Sequence, residues 1–174
     1  RAQFLAAHPI AGTEYSGPDA AVPELYKGKT IMLCETANTR VALLDKAKKL
    51  FSQLKMNIRE MDPVEHDKHI AYVSHLSHIT SFMLGKTVLE KETDEQNIFD
   101  MAGSGFASTV RLAKSSPEMW MPIFAQNKHN VLETLTEYIS NLNAFKDKLA
   151  ADAYPELLAE MKDINKIKSI LEHK

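Results

Sequence analysis

The sequence holds a single cysteine, Cys34, among its 174 residues. One cysteine excludes an internal disulfide and any zinc site built from several thiolates, and it favours a reducing compartment. Basic residues are not in excess, since 21 Lys and Arg stand against 23 Asp and Glu, which disfavours a general binder of nucleic acid or of anionic membranes. No apolar run approaches the roughly 18 residues of a membrane span. With 44% hydrophobic and 25% charged residues, the composition is that of a globular protein.

Two common catalytic motifs are also missing. The segment 103–105 reads Gly-Ser-Gly, lacks the third glycine of a dinucleotide-binding fingerprint and follows no clear strand. No Gly-x-Ser-x-Gly motif occurs, and Cys34 falls inside a predicted buried strand, which disfavours a cysteine nucleophile. No charged and then apolar leader follows Arg1, so we expect a cytoplasmic protein and a chain that is an internal piece of a longer one.

The first third of the chain has the pattern of an α/β unit. The apolar run 30–34 is bounded by turn residues, which predicts a buried strand. A helix is expected at about 38–54, because apolar residues recur there at three-and-four spacing, and 56–61 has the pattern of a short strand. Strand, helix and strand within about 30 residues form one α/β unit.

After residue 61 the pattern is helical. Asp62-Pro63-Val64-Glu65 and Ser115-Ser116-Pro117-Glu118 both combine a capping residue, a proline and an acid, which is typical of helix starts. The first predicts a helix that reaches about Leu89, and a loop at 103–105 followed by a further helix comes next. The second start predicts a long helix, and the last helix is expected at about 155–171.

The long helix carries an apolar seam that only Lys128 interrupts. Its apolar members are Phe124, Val131, Leu135, Tyr138, Leu142, Phe145 and Leu149. A seam of this length suits a bundle core or a helix that pairs with a partner chain, and packing within its own domain is an equal alternative.

Histidine is abundant, with seven residues, four of them between positions 66 and 78. An ideal helix advances about 100° per residue, which places His66 and His69 on one side and His75 and His78 on the other. The four therefore cannot close on one ion, and we expect no metal site. His75 and His78 share a face with Ser74. They are either half-buried structural histidines or a polar patch for an anionic ligand.

Arg111 and His8 are two further candidates. Arg111 is the one arginine of the predicted helical part, and its guanidinium pairs either with a carboxylate of the protein or with one on a ligand. His8 precedes Pro9, which favours extended backbone at a strand end, where ligands collect in α/β sheets. The alternative is a solvent-facing turn histidine.

These pieces together resemble the prephenate dehydrogenase family. The motifs that carry the resemblance stand in the family's order and spacing: His8-Pro9-Ile10-Ala11-Gly12-Thr13-Glu14, Ser74-His75-Leu76-Ser77-His78, Gly103-Ser104-Gly105-Phe106, Thr109-Val110-Arg111-Leu112-Ala113 and Ser116-Pro117-Glu118-Met119-Trp120. The resemblance covers residues 8–120 most clearly. It implies a mainly α fold, in which residues 1–61 end a Rossmann-type nucleotide-binding domain and 62–174 form a helical dimerisation and substrate-binding domain.

The resemblance also implies a function. Family members decarboxylate prephenate oxidatively to 4-hydroxyphenylpyruvate on the route to tyrosine, with NAD or NADP bound mainly by an upstream part of the domain. His8 matches the catalytic histidine that takes the proton of the ring hydroxyl, and Arg111 matches the arginine that binds a substrate carboxylate. The resemblance assigns further substrate contacts to Thr13, Ser74, His75 and His78. It assigns the contacts that the partner subunit of a homodimer supplies to Ser104, Gly105 and Trp120.

Three alternatives stay open on the sequence. The first is arogenate dehydrogenase, although His78 favours prephenate, because related arogenate enzymes usually lack this histidine and a donor suits the keto acid better than an ammonium. The second is a non-catalytic helical dimerisation or regulatory module, which would have no reason to hold both His8 and Arg111. A metal hydrolase is the third. The isolated chain is expected to be catalytically incomplete.

Overall fold

A computed structural model describes residues 3–13, 15, 17–95 and 97–172 of the chain. The strands are β1 (Ala6–Ile10), β2 (Thr30–Cys34) and β3 (Asn57–Met61). The helices are α1 (Val41–Gln53), α2 (Pro63–Ile70), α3 (Leu76–Glu95), α4 (Ser104–Thr109), α5 (Pro117–Gln126), α6 (Lys128–Ala150), α7 (Tyr154–Ile164) and α8 (Ile167–Glu172). The chain forms two compact units, 1–131 and 132–174.

The sheet of the first unit has β2 at its centre. β3 pairs with β2 in parallel through the crossover helix α1, and β1 pairs with β2 antiparallel. Ile31 and Leu33 of β2 are fully buried and pack with Met56, which forms the core of this layer. The predicted α/β unit and the predicted helical texture after it are confirmed.

β1 differs from the sequence prediction in one respect. His8 was expected at the end of a strand, but it lies at the centre of β1, opposite Met32. Pro9 continues the strand because β1 is the edge of the described sheet, where a missing N–H costs no ladder bond. The residues on either side of His8 continue the pairing with β2. His8 lies at the exposed margin of the sheet, with its ring partly covered by His66.

The two predicted helix starts are both confirmed. The Asp62 carboxylate accepts hydrogen bonds from the backbone N–H groups of Val64 and Glu65, at 2.8 and 3.2 Å. The Ser116 hydroxyl accepts from the backbone N–H of Met119 at 3.3 Å. Such caps satisfy donors that the first helical turn leaves unpaired.

Two predicted helices are interrupted. The long helix breaks at Asn127, between α5 and α6, where the backbone leaves the helical conformation with φ −103° and ψ 26°. The last predicted helix is divided into α7 and α8.

The second unit buries little of the predicted apolar seam. Its most buried residues are Thr134 and Leu157, and Lys148 of α6 pairs with Glu160 of α7. Three seam residues stay about half exposed, Leu142 at 51%, Phe145 at 42% and Leu149 at 49%. None of the described helices combines the length and apolar character needed to cross a membrane.

Candidate active site

A π turn at Ala71–His75 joins α2 to α3 and changes which histidines meet. A π turn takes one residue more than an α turn, so the helix after it lags by about 100°. The prediction that His75 faces away from His66 assumed an ideal helix, and it is wrong for this reason. His75 instead lies close enough to His8 and His66 for both to act on its protonation.

His8 and His66 are in direct contact. The Nδ1 atom of His8 lies 2.9 Å from Nε2 of His66, and the two rings meet edge to face with centroids 5.1 Å apart. The Nδ1 atom of His66 lies 2.9 Å from Oδ1 of Asp67. His8 of the sheet is thus linked to two consecutive residues of α2.

Asn127 fixes His75 at the other side of this cluster. Its Nδ2 amide donates to the backbone oxygen of Asp67 at 2.7 Å and to Nδ1 of His75 at 3.3 Å. Its Oδ1 accepts from Nδ2 of Asn130 at 2.7 Å, so both ends of the amide are assigned. His75 therefore uses Nδ1 as acceptor and carries its proton on Nε2 when neutral.

His78 has the opposite tautomer. Its Nδ1 donates to the backbone oxygen of Ser74 at 2.9 Å, because a carbonyl oxygen only accepts. Nε2 of neutral His78 is therefore an acceptor. The ring stacks on Trp120 with centroids 3.6 Å apart and an interplanar angle of 29°.

Trp120 closes one side of the histidine cluster. It is 7% exposed and also contacts His75 edge to face at 5.9 Å. Its Nε1–H is buried and has no hydrogen-bond partner among the described residues, which is a costly state for a donor. The sequence assigned Trp120 to the site of a partner subunit, whereas in the single chain it packs on its own chain's His78.

Ser81 holds the segment that carries Arg111. Its hydroxyl donates to the backbone oxygen of Thr109 and accepts from the backbone N–H of Ala113, both at 3.0 Å. Ser81 is 2% exposed and therefore clamps both ends of the turn at 110–112 onto α3. Arg111 lies in this turn, and its positive charge contributes to lowering the pKa of His78.

Replacing Ser81 by alanine is expected to destabilise the protein. The variant Ser81→Ala removes the two hydrogen bonds by which the buried hydroxyl joins α3 to Thr109 and Ala113, which costs about 1–3 kcal/mol of unfolding free energy. Chemical denaturation of the full-length protein measures this loss. The control Ser52→Ala, at an exposed helical serine, should change the stability by less than about 0.5 kcal/mol. Equal effects of the two variants would contradict the clamp.

The three histidines of the cluster are neutral near pH 7. Burial is the main cause that lowers the pKa of His8, of His75 and of His78 below the ordinary 6.5. Charge repulsion adds to it: Arg111 acts on His78, and protonation of His66 or of His78 disfavours a second proton on His8 or on His75, respectively.

Acid should therefore destabilise the folded protein. Below pH 6.5 these three histidines bind protons in the unfolded chain but remain largely unprotonated in the folded protein. The free energy of unfolding is therefore highest above pH 6.5 and falls as the pH decreases. Denaturation at about pH 7.5 and about pH 5.5 measures the slope. The variant His75→Gln should show a shallower slope. An unfolding free energy that stays constant or rises toward acid would contradict the burial of neutral histidines.

The remaining predicted site residues lie outside this cluster. Thr13 is exposed, and its hydroxyl donates to the backbone oxygen of Tyr15 at 3.4 Å. Ser104 and Gly105 start the short helix α4 and are exposed. A Cβ atom at Gly105 would meet nothing within 4 Å, so the chain's own packing does not require a glycine there. Their roles stay predictions.

No group of three or more metal-ligating side chains is found within the described residues. Cys34 is buried at the end of β2, and burial raises the pKa of its thiol. It is therefore a protonated core residue rather than a reactive one.

Sequence reasoning missed His66, Ser81 and Asn127. His66 was set aside because the ideal helix directs it away from His75. The carboxylate that follows it in sequence, Asp67, was the local signal that could have drawn attention to it. Ser81 and Asn127 act through backbone atoms distant in sequence, and no local pattern marks them.

Two family models match the chain. Residues 1–60 match the nucleotide-binding domain of prephenate dehydrogenase, and residues 62–163 match its dimerization domain. A cyclohexadienyl dehydrogenase of Zymomonas mobilis is 28% identical over 169 residues, which cover 97% of this chain and 58% of the relative.

Two solved structures are similar as well. A prephenate dehydrogenase from Aquifex aeolicus in complex with hydroxyphenyl propionate and NAD+ has a TM-score of 0.86 and 36% identity, with 96% of this chain and 58% of that chain covered. A Synechocystis arogenate dehydrogenase has a TM-score of 0.79 and 27% identity, with 95% and 60% covered. The chain thus spans about three fifths of these proteins. By its match over residues 62–163, the chain belongs to the prephenate dehydrogenase family.

Proposed function

We propose that the protein containing this chain catalyses the NAD- or NADP-dependent oxidative decarboxylation of prephenate to 4-hydroxyphenylpyruvate, in tyrosine biosynthesis in the cytoplasm. The observation that carries the proposal is one group of side chains: His75 and His78 both contact Trp120, while the charge of His8 acts on His75 and that of Arg111 acts on His78. A neutral imidazole can accept the proton of a substrate hydroxyl near pH 7, and a guanidinium binds a carboxylate. Family membership supplies the reaction class.

His8 is the proposed proton acceptor. In the proposed reaction the ring hydroxyl of the substrate gives its proton to His8, and the electrons of the breaking O–H bond form a C=O bond as hydride leaves the same carbon. The electrons of the C–CO2 bond then aromatise the ring as carbon dioxide departs, and the oxygen takes a proton back from His8 to become the phenol hydroxyl. Arg111 holds a substrate carboxylate, while Ser74, His75 and His78 form the polar wall. The buried Nε1–H of Trp120 is a donor for an oxygen of the bound substrate, and Thr13 adds a loop contact.

The described α/β unit fits the edge of a nucleotide-binding domain. The carboxyl ends of β2 and β3 lie at one edge of a parallel pair, where α/β proteins bind nucleotides. The 174 residues contain no Gly-x-Gly-x-x-Gly motif, so most contacts to the nicotinamide cofactor belong to a further part of the protein. When bound, the cofactor supplies the hydride acceptor. We place the domain boundary at residue 61 and expect the isolated chain to be inactive.

A homodimer is part of the proposal. The half-exposed seam of Leu142, Phe145 and Leu149 is an apolar surface of the kind that partner chains cover. Ser104 and Gly105 are the proposed contributions to the partner's site, whereas Trp120 contacts His75 and His78 of its own chain and is proposed for the site of its own subunit. Sedimentation of the full-length protein should give twice the monomer mass, and a monomer at micromolar concentration would contradict the dimer.

Arogenate is the second candidate substrate, because of His78. The prediction from sequence used His78 as a donor to the keto acid. Its Nδ1–H is engaged by Ser74 and its pKa is lowered by burial, so near pH 7 its Nε2 is an acceptor, which suits the ammonium of arogenate. The resemblance of the motif at 74–78 still favours prephenate.

Steady-state rates of the full-length enzyme decide between the two substrates. Reduction of NAD and of NADP is followed with prephenate and with arogenate. The proposal expects a higher kcat/KM for prephenate, and a preference for arogenate would assign the enzyme to the second candidate. Turnover of neither substrate with either cofactor would overturn both.

A further inference from the structure

We propose that His66, oriented by Asp67, is a positioning residue that sets the tautomer of His8 and leaves its Nε2 as the proton acceptor. The catalytic consequence rests on the proposed function, whereas the geometry does not. Two contacts support it. Nδ1 of His8 lies 2.9 Å from Nε2 of His66, and Nδ1 of His66 lies 2.9 Å from Oδ1 of Asp67.

The donor and acceptor roles in these two hydrogen bonds can be assigned in only one way. The carboxylate of Asp67 can only accept a hydrogen bond, so Nδ1 of His66 must carry the proton that it receives. Nε2 of neutral His66 is then an acceptor. Nδ1 of His8 must therefore donate to it, and the neutral ring of His8 has its lone pair on Nε2.

The same two hydrogen bonds stabilise the positive charge that the proposed reaction creates on His8. When the substrate O–H bond breaks, its proton forms a new N–H bond at Nε2 of His8, and the ring becomes cationic. The Nδ1–H bond to His66 then becomes charge-assisted and stronger. The Asp67 carboxylate, one residue further, offsets the positive charge.

The environment holds both partners of His8 in place. The His66 side chain is 15% exposed, and the backbone of Asp67 is fixed by the amide of Asn127 at 2.7 Å. The titratable groups that act on His8 are His66 and Asp67 of α2, and His75 of the π turn is the third neighbour. The Asp67 side chain is 60% exposed, and its carboxylate oxygens can only accept from His66.

The tautomer of His8 is the direct test. Nitrogen NMR of the full-length protein with labelled histidine distinguishes protonated from unprotonated ring nitrogens, and the variant His8→Asn identifies the His8 signals by their loss. We expect a protonated Nδ1 and an unprotonated Nε2 near pH 7 in the wild type. A His8 ring protonated on Nε2 would overturn the inference. This readout needs no substrate, so it stands or falls independently of the proposed function.

Kinetics of two His66 variants supply the second test. His66→Leu removes the acceptor and should lower kcat at least about tenfold with KM changed less than threefold. His66→Gln offers an amide oxygen to Nδ1 of His8 and should recover most of that loss. The control His69→Leu, at an exposed histidine of the same helix, should retain full activity. Equal activities of His66→Leu and the wild type would overturn the positioning role.

Discussion

Replacement of His8 by asparagine in the full-length enzyme is expected to lower kcat/KM by about 10²-fold or more, mainly through kcat. Asparagine preserves the size and polarity of the strand position but offers no basic nitrogen to the substrate hydroxyl. The measurement is the initial rate of cofactor reduction at saturating and at limiting prephenate. The loss should appear at both concentrations, because binding does not depend on the base.

A matched control separates this effect from general damage. His129→Asn makes the same change at an exposed histidine near the start of α6 and should leave the rate unchanged. A change of less than threefold in His8→Asn would favour the non-catalytic module over the enzyme.

Replacement of Arg111 by alanine is expected to lower kcat/KM by about 10²-fold or more, mainly through KM. The lost guanidinium is the proposed partner of a substrate carboxylate, and a charge-assisted bidentate contact is among the strongest in proteins. Arg111→Lys keeps the charge but not the planar pair of donors, so it should fall between the wild type and alanine. The control Lys114→Ala removes a neighbouring exposed cation and should leave KM unchanged.

A second readout for Arg111 does not depend on turnover. Its positive charge lowers the pKa of His78, so Arg111→Ala should raise the pKa of His78 in a titration followed by NMR. An unchanged His78 titration together with an unchanged KM would contradict the assigned place of Arg111 in the site.

Local patterns were sufficient for the elements of the fold. Thr30–Cys34 is an apolar run between turn residues, and it forms β2 with the predicted bounds. Asp62 and Ser116 start helices because each places a side-chain oxygen before a proline. In each case the decisive interactions lie within a few residues of each other, so the sequence displays them directly.

The arrangement of the site depended on long-range contacts. The π turn at 71–75 brings His75 near His66, and no local pattern in that turn predicts it. Asn127 stands where the predicted long helix is interrupted, and its amide joins Asp67 to His75. The resemblance to the family identified the candidate residues, but the contact between His8 and His66 could be seen only in the structure.

The most direct measurement is product formation by the full-length enzyme with prephenate and the better of NAD and NADP. Reduced cofactor is followed by absorbance and 4-hydroxyphenylpyruvate by chromatography, in the wild type and in His8→Asn. We expect equal amounts of reduced cofactor and 4-hydroxyphenylpyruvate from the wild type, and a rate lower by about 10²-fold in the variant. Equal rates in the two proteins would show that His8 is not the proton acceptor of a dehydrogenase.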